Sequence, residues 1–328
     1  MTKKPASEQP ASWSAFTKPR RSQPEEPVVL DFDARAQDFL KRITTLSADL
    51  AAHGRTRTLA LQKLHRICQA EVRTLKARYT LATVKLALSK YRNAIRAVEP
   101  NHLVLRPRKM RSGQRFSYLA LDPEETRSLN AAYHERIHRD QSNLIPLDPE
   151  AFIQTALELL ASDRYLQKGM GLMALTGRRP AEIFFSASFS LPPEKLPYPA
   201  LLFDGQLKTS QAPGTSSEPY LIPVLGDPKK LVQALDTLRS LKNFPSPKAV
   251  NTTTGPQLPK YVSAAFGALD LPWKPGHLRS AYGAICCHKF KPKNITDDIF
   301  LAQILGHKLL GPNASLSVGQ SYKDFYIR

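Results

Sequence analysis

Cysteine is scarce in this sequence: Cys68, Cys286 and Cys287 are all that 328 residues contain. Three thiols offer neither a paired disulfide framework nor the C-x-x-C spacing of a zinc site, so the chain reads as a reduced protein without a structural metal. Cys286 and Cys287 lie near His277 and His288, but neighbours on a helix point about 100° apart and converge poorly on one ion. Long apolar runs are missing as well. No stretch of roughly 18 apolar residues occurs and no signal-like apolar core follows the N-terminus, which excludes a membrane-spanning helix and leads us to expect a soluble, cytoplasmic protein. Acidic residues are few: 28 Asp and Glu stand against 47 Lys and Arg, a net charge of +19. A surplus of that size calls for a polyanionic partner, and nucleic acid is the commonest, with a membrane surface as its competitor. No aromatic RNA-recognition motif is apparent, which favours DNA over RNA.

The chain is long enough for two or three domains, each with its own core. Residues 1–26 are rich in Pro, Ser and charge, the composition of a disordered basic tail. Residues 27–100 read as a helical DNA-gripping domain. Phe39, Ile43, Leu46 and Leu50 recur at spacings of three and four, and His53-Gly54 supplies a break. A second helical stretch runs from Leu59 to Leu75 and continues beyond Tyr79 through Val84, Leu88, Tyr91 and Ile95. Arg73 and Lys76 belong to a set of cations along these helices that fits a phosphate-facing stripe and a solvated face equally well. Residues 101–146 form a basic linker and connecting helix, with Arg106, Arg108, Lys109, Arg111 and Arg115 gathered around Pro107 and Gly113. Asp122-Pro123 and Asp148-Pro149 are helix starts, Asp capping and Pro at the first helical position.

The segment 147–328 reads as a mixed α/β domain. Two helices, 149–161 and 163–177, precede strand-like segments at 183–189, 200–207 and 220–225, and helices return at 276–290 and 297–305. The expected fold is mainly α with a small antiparallel β-sheet: a helical N-terminal DNA-binding domain followed by this α/β catalytic domain.

Cutting a phosphodiester without a metal needs a nucleophile, positive charge on the non-bridging oxygens and an acid for the departing 5′-oxygen. All three are available in the C-terminal half. Guanidinium forks stay charged and match phosphate geometry, and nearby cations favour deprotonation of an attacking phenol. Thr176-Gly177-Arg178-Arg179-Pro180-Ala181-Glu182, Gly205-Gln206-Leu207-Lys208-Thr209, Gly276-His277-Leu278-Arg279, Leu305-Gly306-His307 and Gln320-Ser321-Tyr322-Lys323-Asp324-Phe325 follow in that order.

Over roughly residues 165–328 this order resembles the tyrosine recombinases. The resemblance implies that Arg179, Lys208, Arg279 and His307 surround the scissile phosphate and that Tyr322 is the nucleophile, with Tyr326 as its rival four residues on. The commonest family pattern has a histidine three residues before the second arginine. Here Gly276 stands at that place, which leaves three readings: His277 substitutes from one residue closer, Lys274 reaches in, or the group is absent. The T-G-R-R-x-x-E-I and F-x-G-Q-x-K-T strings, the departure at Gly276 and the long interval from His307 to Tyr322 resemble the telomere resolvases most closely. That resemblance implies cleavage of a palindromic site in double-stranded DNA by a homodimer, through a 3′-phosphotyrosyl link, without cofactor, and rejoining as hairpin ends. The few residues after Tyr322 suit a dimer better than a tetramer that exchanges C-terminal helices. A conventional integrase, a type IB topoisomerase and a non-catalytic DNA-binding protein are the competing readings.

Overall fold

The computed structural model describes residues 32–52, 57–105, 108–109, 115–207, 218–267, 273–307 and 322–328. The expected N-terminal tail, Arg106, Arg111 and Lys208 lie outside the described residues, as do the side chains of Arg108, Lys109 and Arg115. The described chain is mainly helical, with a three-stranded antiparallel sheet and two small two-stranded ones. It divides into two compact units between Ala131 and Ala132.

The first unit is built on α1 (Phe32–Ala52), α2 (Arg57–Arg78) and α3 (Leu81–Val98). Their apolar faces bury Phe39, Ile43, Leu64, Leu75, Val84, Leu88, Tyr91 and Ile95 in one core, to which Val104, Tyr118 and Leu119 add from the following segment. The sequence pattern predicts that the second helical stretch runs on past Tyr79, but the chain breaks there. Thr80 is extended, its hydroxyl accepts from the Thr83 amide, and a new helix starts at Leu81. An N-cap threonine thus overrides a continuous apolar periodicity. Two short antiparallel strands follow, β1 (Arg108–Lys109) and β2 (Arg115–Phe116), and lead to α4 (Pro123–Ser142).

Glu71 is the buried polar centre of this unit, 6% exposed. Its Oε1 accepts from Arg35 Nε at 2.6 Å and from the Tyr91 hydroxyl at 2.7 Å, so one carboxylate ties all three helices together. Burial alone would raise its pKa, yet the two hydrogen bonds and the charges of Arg35 and Arg42 outweigh that and hold it below the usual carboxylate range. Glu71→Ala strands a buried hydroxyl and a guanidinium. The expected cost is about 3 kcal/mol, read as a lower midpoint for the N-terminal unit in urea unfolding followed by circular dichroism.

The second unit contains β3 (Ile145–Leu147), α5 (Pro149–Ala161), α6 (Tyr165–Thr176), β4 (Ser188–Ser190), β5 (Ala200–Asp204), β6 (Tyr220–Pro223), α7 (Pro228–Leu241), α8 (Pro247–Thr254), α9 (Leu258–Phe266), α10 (Pro275–Phe290), α11 (Asp297–Ile304) and β7 (Phe325–Ile327). Asp148 caps α5 as its sequence predicts, accepting from the Ala151 amide, with Pro149 at the first helical position. The sheet has the order β4-β5-β6, and all its pairs are antiparallel. Met173, Leu175, Phe184, Phe203, Ile222, Leu278 and Tyr282 belong to the core between sheet and helices.

One local expectation in this unit needs correction, and one strand pair was not expected. Residues 183–189 do not form one strand: Glu182–Ser186 is a π-helical turn and only Ser188–Ser190 pairs with β5. Glu182, Ile183 and Phe184 are all buried, and the Ala187 amide donates to Glu182 O at 2.7 Å, the five-residue closure of a π turn in place of a strand ladder. A further strand, β7, is parallel to β3 with Phe325 opposite Ile145 and Ile327 opposite Leu147. Three-residue strands far apart in sequence leave no periodicity to read.

Candidate active site

The end of α6 builds one wall of the site. Gly177 closes the helix in the left-handed conformation, φ 66°, and a Cβ there would lie 2.2 Å from the Tyr282 ring, so both backbone and packing require glycine. The two arginines that follow diverge. Arg178 turns inward, 1% exposed, and donates to Thr176 O at 3.1 Å, the Tyr220 hydroxyl at 2.6 Å and Ile304 O at 2.6 Å. Arg179 stays partly open and donates through Nη1 to Glu182 Oε1 at 2.8 Å, while its own amide donates to Oε2 at 2.8 Å. Glu182 is fully buried; burial would raise its pKa, but Arg178, Arg179 and Arg279 outweigh that and keep it low.

Arg279 enters from the first turns of α10 and is 4% exposed. It donates to Gly177 O at 2.5 Å and to Leu305 O at 2.8 Å, and its guanidinium carbon stands 5.2 Å from the centre of the Tyr322 ring. Burial, and after it the charges of Arg178 and Arg179, lower its pKa to about 10. For Tyr322, burial acts to raise the phenol pKa, but the charges of Arg279 and Arg179 and hydrogen bonds with both outweigh it, and the net direction is down. His307 follows the left-handed Gly306 and places its ring 5.5 Å from that of Tyr322. Neither ring nitrogen has a hydrogen-bond partner among the described residues. Burial, then the charges of Arg279, Arg179 and Arg178, lower its pKa to about 4. The result is a pocket of fixed positive charge around a phenol and a neutral imidazole, an arrangement suited to a phosphate.

A family model for the telomere resolvase ResT/TelK catalytic domain matches residues 143–325. The chain belongs to the telomere resolvase family. Among solved structures, it is similar to protelomerase TelA. One variant of that protein, covalently complexed with substrate DNA, aligns at a TM-score of 0.69 with 26% identity, over 89% of this chain and 95% of that one. A second variant, complexed with a DNA hairpin product, aligns at the same TM-score, identity and coverage. Protelomerase TelK complexed with substrate DNA aligns at a TM-score of 0.53 with 18% identity, over 90% of this chain and 59% of that one, a likeness of fold. No protein of curated function matches the chain in sequence.

In this telomere resolvase Tyr322 is anchored from its C-terminal side by its own chain. Lys323 pairs with Asp298 at 2.8 Å, Asp324 Oδ2 accepts from the Ser280 hydroxyl at 2.6 Å, and Asp324 O accepts from the Ile145 amide at 2.9 Å, where β7 joins β3. Tyr326, the rival nucleophile, lies on β7 and is 46% exposed. His277 caps the start of α10, its Nδ1 accepting from the Lys274 amide at 3.4 Å, and meets Trp273 and Phe325 edge-on with ring centres 6.0 Å away in each case. Gly276 is exposed, and a Cβ there would meet nothing within 4 Å. The residue before Lys208 is in place: the Leu207 amide donates to Glu182 Oε1 at 3.2 Å.

In the N-terminal unit Arg73 is exposed on α2, whereas Lys76 is engaged by Asp122 and Glu125. Sequence reasoning gave no role to Glu182, Ser280 or Asp324. For Glu182 a signal existed, a carboxylate three residues after an arginine; for Ser280 and Asp324 the pairing joins distant segments and leaves none.

His307 gives the folded unit a pH dependence. Its pKa is 6.5 ordinarily and about 4 here, so below 6.5 the unfolded chain takes up a proton that the folded chain refuses. Stability without DNA is expected to fall as pH drops from 6.5 towards 4, and His307→Asn to flatten part of that fall in urea midpoints measured across the range.

Proposed function

We propose that Tyr322 of this telomere resolvase attacks the scissile phosphate of a palindromic replicated-telomere junction in double-stranded DNA. The observation that carries the reading is the Tyr322 phenol held against Arg279 and Arg179 with His307 beside it. The Tyr322 Oη–phosphorus bond forms as the bond to the 5′-oxygen breaks, and the phenol proton passes to solvent water. Arg179 and Arg279 stabilise the charge that grows on the non-bridging oxygens. His307 donates to one of those oxygens, which a neutral imidazole does through one nitrogen. Lys208 supplies the proton that the leaving 5′-oxygen needs. The 3′-phosphotyrosyl link conserves the energy of the phosphodiester, so resealing requires neither ATP nor a metal. In the second step the 5′-hydroxyl of the complementary strand attacks that link, releases Tyr322 and closes a hairpin.

Two protomers on a two-fold symmetric site provide one Tyr322 for each strand, matching protein symmetry to DNA symmetry. Folding each strand back on itself costs several kcal/mol, on the order of the deformation energies of sharply bent DNA, and phosphate contacts offset it. Arg73, Arg106, Arg108, Lys109, Arg111 and Arg115 are the residues we assign to those contacts. We keep Lys76 with them as a weaker contributor, since its ammonium already has two carboxylate partners.

The test is incubation with plasmids carrying candidate palindromic junctions, in EDTA and without ATP, with products separated on denaturing gels. Hairpin-ended fragments support the reading; relaxed circles or exchanged duplexes would assign the chain a different outcome on the same chemistry.

A further inference from the structure

Three consecutive carbonyls at the end of α11 each accept a side-chain hydrogen bond, and each donor comes from a different part of the catalytic unit. Ile304 O accepts from Arg178 at 2.6 Å, Leu305 O from Arg279 at 2.8 Å, and Gly306 O from Gln206 Nε2 at 2.6 Å. The last carbonyls of a helix have no partner within it, and backbone amides or water commonly serve them. Here three side chains do so, and the next residue is His307. The backbone passes so close that a Cβ on Gly306, φ 69°, would lie 2.1 Å from Gln206 Oε1 and 2.2 Å from the Tyr220 hydroxyl.

The two arginines belong to the cationic wall of the site. Gln206 carries no charge and has no part in the chemistry above, yet its backbone is held on both sides. Gly205, φ 87°, lies so close to Ser186 that a Cβ would be 1.9 Å from Ser186 O, and its carbonyl accepts from the Ser186 hydroxyl. On the other side the Leu207 amide is held by buried Glu182, the same carboxylate that holds Arg179. A carboxamide on so fixed a base is a brace between the Arg179–Glu182 pair and the turn that aims His307.

We propose that Gln206 is a positioning residue for strand cleavage: its amide locks the Gly306 turn and so fixes the direction of the His307 imidazole. The inference rests on the reading of His307 as a contact to the scissile phosphate. A hydrogen bond that merely adds stability would act whether or not His307 is present, and this difference separates the two.

The experiment measures single-turnover cleavage, DNA affinity and thermal midpoint for Gln206→Met, His307→Ala and the double variant. Methionine keeps the volume and removes the donor; Gln206→Glu removes the donor while keeping the shape, and replaces it if the methionine variant does not fold. Gln206→Met is expected to cleave about tenfold to a hundredfold more slowly, the scale of a misplaced catalytic group, with DNA affinity within about twofold of the parent. In the His307→Ala background the same change is expected to cost nothing further, because both act through one group. A parental rate for Gln206→Met with a slow His307→Ala overturns the role of Gln206 alone. So does a full second loss in the double variant, or a loss confined to DNA affinity. A parental rate for His307→Ala overturns the reading of His307, and the proposal with it.

Discussion

Tyr322→Phe is expected to lower strand cleavage by at least about a thousandfold, since it removes the proposed nucleophile itself, while DNA affinity stays within about twofold. The substitution deletes one oxygen and leaves the ring in its place under the Arg279 guanidinium, 5.2 Å away. The substitution removes the phenol's hydrogen bonds with Arg179 and Arg279, but the contacts of Lys323 and Asp324 still hold the segment in place. Tyr326→Phe serves as the matched control. Its side chain is 46% exposed on β7, and its cleavage rate is expected to match that of the parent. The check is a time course of covalent adduct on denaturing protein gels with labelled DNA. Adduct formed by the Tyr322 variant at the parental rate removes the residue from the chemistry.

Arg279→Ala is expected to slow cleavage by about a hundredfold to a thousandfold, the range for loss of one preorganised donor to a developing oxyanion. Arg279 also bridges Gly177 O and Leu305 O, so its removal loosens the end of α6 and the turn before His307 together. Arg279→Lys is not expected to restore the rate, because a single ammonium cannot span two carbonyls and a phosphate as a planar fork does. The pH profile carries a second signature. Arg279 heads the charges that lower the Tyr322 pKa below its ordinary 10.0. Adduct formation by the parent should therefore rise with pH and level off below 10, and in Arg279→Ala the plateau should move to higher pH. Superimposable profiles in parent and variant would mean that Arg279 does not act on the phenol.

Much of this site was legible in the sequence because phosphoryl chemistry calls for particular residue types and the resemblance to the tyrosine recombinases supplies their order along the chain. Arg179, Arg279, His307 and Tyr322, named from motif order, converge in one pocket. Tyr322 was separable from Tyr326 by its neighbours, and burial now adds the physical distinction. Long-range polar pairs were not legible. Ser280 with Asp324 and Gln206 with Gly306 join segments whose proximity depends on the whole core, and no local pattern announces them. The same limit explains the fold. Helices α5, α6, α10 and α11 follow from caps and periodicity to within a residue or two. The π-helical turn at Glu182–Ser186 was not legible either: it places a buried carboxylate among the charges of Arg178, Arg179 and Arg279, a tertiary setting that overrides local strand propensity.

The most direct test is to identify the residue that carries the DNA. A substrate nicked beside the cleavage position lets the freed 5′-end diffuse away and traps the covalent adduct, which is then digested with protease and nuclease and sequenced by mass spectrometry. Nucleotide mass on Tyr322, in a peptide that disappears in Tyr322→Phe, is the predicted result. The same mass on Tyr326, or on any residue outside the pocket formed by Arg179, Arg279 and His307, would contradict it.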